Sequence, residues 1–444
     1  MKRTEVDVVI VGAGFSGLAA ARAIAKAGRS VMVLEARNRV GGRVHSSEVA
    51  GKTIELGAEF TGPGQDALKR LGAEFGLELV PCHYGGRTFY YRTGEDGETP
   101  REILDQPPYD YGSAAAGVHE LDRLAESVPA EAPWAAPSAE EWDRHTAASW
   151  MQTHLAESSR PLLEAAHRGM IGQSDQTSFL HSLFYSKANG GYAAIMGIGK
   201  TPHDNEMFSG GNQTIASGIA KELAEGVKLN FAVQHVRQDE QGVAVTGPPG
   251  RVHAQRIIIA MPPALAGRIM YEPALPPARS HLMMRYASRS KLKAVAVYRE
   301  PFWRADGNSG MILGNGFVSL DGSTCENFGV LILFLGLRES LRVWNLSKEA
   351  RRAFAGDRLA MFLGSKARDM LGYDDKHWSD EYYSTGCVFA PSPGMWTTYG
   401  PSLREAIGRI HWAGTETSTV MPGQMDGAVR AGERAARDAL ELLR

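Results

Sequence analysis

At 444 residues the chain exceeds what one simple core organises, so two or more structural units are expected. Its formal net charge is −2, with acids and bases interspersed, which offers no basic patch for nucleic acid or an anionic membrane. Cys82, Cys325 and Cys387 supply neither a disulfide framework nor zinc-ligand spacing, and no stretch nears the ~20 apolar residues of a membrane span.

The first sixty residues carry the strongest pattern. Val6–Val11 (VDVVIV) reads as a strand and runs straight into Gly12-Ala13-Gly14-Phe15-Ser16-Gly17, then an Ala-rich helix to Gly28. A second apolar run, Val31–Leu34, ends at Glu35. This order is that of a dinucleotide fold. The first glycine permits the turn, the second lets backbone approach a pyrophosphate, and the third lets helix pack on strand. The helix N-terminus turns free N–H groups and its positive dipole end toward phosphate. A carboxylate at Glu35 suits ribose hydroxyls and disfavours a 2′-phosphate, so the ligand is of NAD or FAD type. Next come Arg39-Val40-Gly41-Gly42-Arg43, two glycines between arginines, with a guanidinium free for phosphate. Ile54–Phe60 then reads as a strand followed by a turn of small residues.

From about Pro81 the composition changes. Residues 97–140, rich in Pro, Glu and Ala, read as a solvated connector between short helices. Residues 144–200 read as helices, broken at Gly190-Gly191. Phe208-Ser209-Gly210-Gly211-Asn212-Gln213 is a turn before a helix, Val227–Val236 reads as strands, and Ile257–Ala260 as a buried strand. Lys291–Tyr298 alternates, placing Lys291 and Lys293 on one strand face, where a lysine is ordinarily solvated. The helix from about Met425 to Leu443 shows one core face through Val429, Gly432, Ala436 and Leu440. MKRTEVD passes directly into the first strand, so no leader is expected, and the chain stops just after this helix. Together with the unpaired cysteines this gives the expectation of a soluble, reduced, cytoplasmic protein.

Leu34–Arg43 (LEARNRVGGR) resembles the LEARxRxGGR segment that covers the FAD pyrophosphate in the flavin-containing amine oxidase family. Trp412–Thr417, Gly423–Val429 and Ala431–Ala436 resemble that family's C-terminal flavin motif, and Arg299–Arg304 (REPFWR) resembles its KEPFWR segment. The resemblance spans about Val6 to Leu443 and is nearest in pattern to bacterial monoamine oxidases. It implies an α/β fold: a discontinuous Rossmann-like FAD-binding domain (1–80, 211–280 and 381–444) with an inserted α+β substrate-binding domain (81–210 and 281–380).

It also implies the site. Gly12, Gly14, Phe15, Ser16, Gly17, Glu35, Ala36, Arg37, Gly42 and Arg43 are to hold the adenosine diphosphate of FAD, with Val233 giving a backbone contact to adenine. Gly57, Ala58, Glu59 and Phe60 are to flank the flavin ring, with Trp378 against it. Gly414, Thr415, Glu416, Gln424, Met425 and Ala428 form the C-terminal flavin contacts. Lys293 is the lysine that holds a water beside flavin N5. Cys387 stands nine positions after Trp378, the family interval to a cysteine that can carry an 8α-thioether; the loop after it is one residue shorter than in the animal enzymes, and a free buried cysteine is the alternative.

The expected reaction is oxidation of an amine to an imine by hydride transfer to flavin N5. The imine hydrolyses to a carbonyl, and dioxygen accepts the electrons as hydrogen peroxide. Neither a metal nor a nucleophilic triad is called for. The partners expected are a small amine and dioxygen, with no nucleic acid or membrane, and a homodimer compatible with the pattern. Two tyrosines that cage the amine in many monoamine oxidases are replaced here by Val388 and Gln424, and Asp204 stands near a pocket-lining position. A bulky or polyfunctional amine is therefore expected. An amino-acid or polyamine oxidase, or a flavin desaturase acting on a carbon skeleton, are the alternatives.

Overall fold

The computed structural model describes residues 4–93, 100–104, 111–196, 203–286, 292–314, 316–324, 327–387 and 390–443. One eight-stranded sheet runs in the order Val227–Lys228, Val31–Leu34, Thr4–Val11, Gly250–Ile259, Val243–Gly247, His235–Gln238, Met270–Glu272, with Ile410–Trp412 parallel to the end of Gly250–Ile259. Thr4–Val11 pairs in parallel on both sides. Its continuous apolar run follows from that position. Val9 and Val11 face one core and Val8 and Ile10 the other, so both faces are covered and no polar alternation survives. Helices Phe15–Lys26 and Met425–Glu441 pack on each other over the second core. Strand order reverses beside Thr4–Val11, and ligands of open α/β sheets bind beyond the carboxyl ends of strands at such a point. Gly12 stands there.

A second, mixed sheet of seven strands runs Gly372–His377, Leu292–Tyr298, Gly329–Leu335, Phe317–Asp321, Asn308–Leu313, Arg87–Thr93, Pro100–Leu104. Every residue of Leu292–Tyr298 is buried. Leu292, Ala294, Ala296 and Tyr298 face the core under helix Lys348–Leu363. Val295 and Val297 face Val49 and Ile54 of the hairpin Ser46–Val49/Lys52–Glu55 and Leu56 just beyond it. Lys293 lies on this second face by alternation, which is how a sheet built mainly from the second half of the chain brings a lysine to residues 57–59.

Two expectations fail. The connector expected over 97–140 contains a sixteen-residue helix, Tyr111–Glu126, with Ala114, Val118, Leu121 and Ala125 buried. Apolar spacing of three and four outweighs the Pro- and Glu-rich flanks. The strands expected over Val227–Val236 reduce to Val227–Lys228 and His235–Gln238. Between them Asn230 adopts a left-handed conformation (φ 57°), and the chain crosses the end of Val31–Leu34, where Asn230 and Phe231 N–H groups donate to the carbonyls of Arg37 and Glu35. Lys291 lies outside the described residues.

Candidate active site

Gly12 has φ 103°, and a Cβ there would lie 2.7 Å from the Ala260 carbonyl oxygen. At Gly17 a Cβ would lie 1.9 Å from the Gly12 carbonyl oxygen, so the helix sits against the turn only because both residues are glycine. Gly14, the N-cap of Phe15–Lys26, is different. A Cβ there would meet only the Gly42 Cα, at 3.9 Å, and no side chain caps the helix. An open cradle at an uncapped helix N-terminus is what a pyrophosphate requires. Gly42 (φ 60°) closes its other side, and Arg39 donates to the carbonyls of Val40, Gly42 and Val44, fixing that turn.

Glu35 is 2% exposed. One carboxylate oxygen accepts the Ala13 N–H at 2.7 Å, and the other accepts the Arg37 N–H at 3.0 Å and faces its guanidinium at 3.3 Å. The acid therefore braces the glycine turn as well as standing at the strand end. Ala36 is half-buried beside it. Arg37 also donates to Ser384 Oγ at 2.7 Å. Val233 lies in the crossing loop, packed against the core.

Arg43 departs from expectation. Its guanidinium is not free but pairs with the buried Glu416 carboxylate at 2.8 Å, and it donates to the Cys387 carbonyl at 3.3 Å. Burial works against the Arg43 charge, and Glu416 outweighs it. The C-terminal motif is tied to the first helix directly: the Gly414 N–H donates to Ser16 Oγ at 2.8 Å. Phe15 is buried next to it. Thr415 donates to the Gln424 carbonyl at 2.9 Å, and Gln424 is the N-cap of Met425–Glu441, again without a side-chain cap. Met425 is buried and Ala428 half-buried on the first turn. Both helices thus begin without a side-chain cap.

At the far end, Gly57 admits the backbone of Arg43–His45; a Cβ would lie 2.2 Å from the Arg43 carbonyl oxygen. Lys293 is 3% exposed and donates to the Gly57 carbonyl at 3.0 Å and to the Glu59 carboxylate. Trp378 donates from its indole N–H to the Leu56 carbonyl at 2.8 Å. Phe60 begins the strand Phe60–Thr61. Asn212, not singled out from sequence, donates its amide to the carbonyls of Ala58 and Glu59 at 3.0 and 3.1 Å, fixing this turn. Tyr185 was also missed: buried on helix Phe179–Ala188, its hydroxyl accepts the Gln424 amide at 3.4 Å. Asp204 pairs with His203 at 2.8 Å, and Glu206 opens a short strand and pairs with Lys69, so this segment is structured rather than a solvated loop. Cys387 is half-buried. Val388 lies outside the described residues.

A sheet whose central strands are parallel, a glycine cradle at its switch point and an acid braced at the second strand define a dinucleotide-binding protein. Comparison with known proteins is more specific. The profile of the family described as flavin containing amine oxidoreductase matches residues 15–440. The putative flavin-containing monoamine oxidase AofH of Mycobacterium tuberculosis is 38% identical, covering 99% of this chain and 97% of that protein. Amine oxidase B of Sus scrofa is 34% identical over 99% of this chain and 87% of its own length. Cyclohexylamine oxidase from Brevibacterium oxydans and putrescine oxidase bound to putrescine each superpose with a TM-score of 0.90 at 31% identity, covering 99% of this chain and 100% of theirs. The chain belongs to the flavin-containing amine oxidoreductase family: it is an FAD-dependent amine oxidase.

Proposed function

We propose that the protein oxidises a bulky or polyfunctional amine to an imine that hydrolyses to the carbonyl, with dioxygen reduced to hydrogen peroxide. Bound FAD supplies the two-electron acceptor for the hydride from the amine α-carbon. The chain supplies place, dryness and charge. The cradle of Gly12, Gly14, Gly17 and Gly42, with Glu35, would hold the adenosine diphosphate. Glu416 compensates Arg43, leaving the helix N-termini as the positive ends facing phosphate and the isoalloxazine. Lys293 carries a buried positive charge to the side of the cleft formed by Gly57–Phe60 and Trp378, where it favours negative charge developing as oxygen is reduced.

The observation that carries the substrate reading is the Gln424 amide at the N-cap of the last helix, bonded to Tyr185. A half-buried amide in place of an aromatic ring presents hydrogen-bonding groups that a purely apolar amine would leave unmatched. Burial raises the Tyr185 phenol, so it stays neutral beside that amide. The nearby charge of Asp204 suits a second polar or cationic group on the substrate. An amine panel read by peroxide release tests this. Benzylamine and short alkyl amines are expected to be poor substrates beside larger amines bearing a second polar group. A high kcat/KM on benzylamine, with little effect of Gln424→Tyr, refutes it.

A further inference from the structure

Lys293 is among the most enclosed cations described, and what encloses it is another charge. Of the three N–H donors of an ammonium, one goes to the Glu59 carboxylate and one to the Gly57 carbonyl at 3.0 Å. The two side chains retain 4% and 10% of their accessible surface. The Phe334 ring, 5.7 Å away, closes another side. A lysine alone at this depth sheds its proton, because burial penalises the charged form. A buried ion pair adds little stability over an apolar pair of equal volume, so stability does not by itself explain these two residues.

We infer that Glu59 is a positioning residue: its carboxylate holds Lys293 in place and charged, so that the two act as one unit in the site. The inference rests on the proposed place of Lys293 beside the flavin. Glu59 leaves one N–H of the ammonium for a small molecule, such as water or reduced oxygen, and sets how much positive charge that molecule meets. The other groups around the pair do not replace Glu59. Glu55, four residues earlier, accepts the Asn212 N–H and the Ser46 hydroxyl, and burial pushes its carboxyl up to about 7. Cys82 feels the charge of Glu59, and burial first, with the neighbouring acids, pushes its thiol up to about 12. Lys376, opposite Lys293 on the adjacent strand, is engaged with Glu381 at 2.7 Å. The strand on the other side offers Phe334, which carries no charge.

The test compares FAD-loaded wild type, Glu59→Gln, Lys293→Met and the double variant. Thermal unfolding is followed between about pH 8 and 10, above the Glu55 titration and below that of free lysine. In Glu59→Gln the stranded lysine has a folded-state pKa below its unfolded value. Its cost is present at the lower pH and is relieved as pH rises through the folded value. The Tm of Glu59→Gln should therefore climb toward that of the double variant across this window, while the double variant shows no such climb. Lys293→Met strands a carboxylate instead; its cost develops as pH rises from the unfolded carboxyl value of about 4.3 to the raised folded value, so Tm is lowered, and adding Glu59→Gln should restore it. Parallel curves for Glu59→Gln and the double variant, or no rescue of Lys293→Met, overturn the inference. Reoxidation of the reduced protein by oxygen is the second readout. It should acquire a fall with rising pH in Glu59→Gln only, and Glu59→Asp should return it toward wild type. The stability signature without this kinetic change would uphold the pairing and remove Lys293 from the oxygen chemistry.

Discussion

Glu35 performs two tasks with one carboxylate, bracing the Ala13 N–H of the glycine turn and terminating the second strand. Glu35→Gln removes the charge and turns one acceptor into a donor facing an N–H. Weaker FAD binding by about 1–3 kcal/mol, roughly 5- to 150-fold in Kd, is expected in a cofactor titration. Lys293→Met should slow reoxidation by oxygen roughly tenfold or more in the fraction that folds and keeps FAD, in stopped-flow measurement of the separate half-reactions. Glu55 gives a pH signature. Its carboxyl is raised to about 7, mainly by burial, so the fold favours its neutral form. The stability this confers is full below about pH 4.5 and is lost as pH rises through about 7. Glu55→Gln should flatten that part of the Tm–pH curve; an unchanged slope would show that Glu55 ionises as in the unfolded chain. At this scale the sequence was uneven. Gly12 and Glu35 were legible as a turn and a strand end because their spacing is tied to one turn and one strand; the pairing of Arg43 with Glu416, 373 positions on, was not. Tyr185 was not: it lies in a run of buried helical residues whose pattern is that of any core helix, and only tertiary packing brings it to Gln424, 239 positions away.

The contact of the first and last long helices depends on Gly432, where a Cβ would lie 2.0 Å from the Ser16 carbonyl oxygen and 3.1 Å from the Ala20 nitrogen. These are backbone atoms and cannot swing aside. Gly432→Ala should force the helices apart at a cost of about 1–3 kcal/mol, lowering Tm and, because Ser16 also binds Gly414, weakening FAD retention. Cys387 belongs to a different kind of element, a loop held through its own carbonyl by Arg43. The shortened loop beyond it leads to the prediction that FAD is non-covalent and leaves completely on acid precipitation. Yellow colour retained on the precipitate and lost in Cys387→Ala would show a thioether. Elements with strong periodicity and clear boundaries, such as Phe15–Lys26 and Met425–Glu441, were readable from the chain. The helix Tyr111–Glu126 was obscured by a composition averaged over its irregular flanks, and the gap between Val227–Lys228 and His235–Gln238 is set by a crossing over Val31–Leu34 that local propensity does not encode.

Over the whole molecule, motifs at both ends of the sequence allowed the discontinuous cofactor fold to be expected, because the glycine turn and the Gly414–Glu416 segment each make sense only beside the other. The substrate side was less legible, being built from side chains gathered across several elements rather than from a motif. The Ser16–Gly414 hydrogen bond joins residues 398 positions apart, and the strand Thr4–Val11 gains its second neighbour only at Gly250–Ile259. During synthesis at roughly 5–20 residues per second, the glycine cradle therefore leaves the ribosome about 20–80 s before the segment that completes it. Until Gly250–Ile259 emerges, about 12–50 s of that interval, the nascent chain carries the open edge of the strand whose apolar half is Val8–Val11. Shielding that edge while the rest is translated is a burden that falls before the glycine cradle is complete.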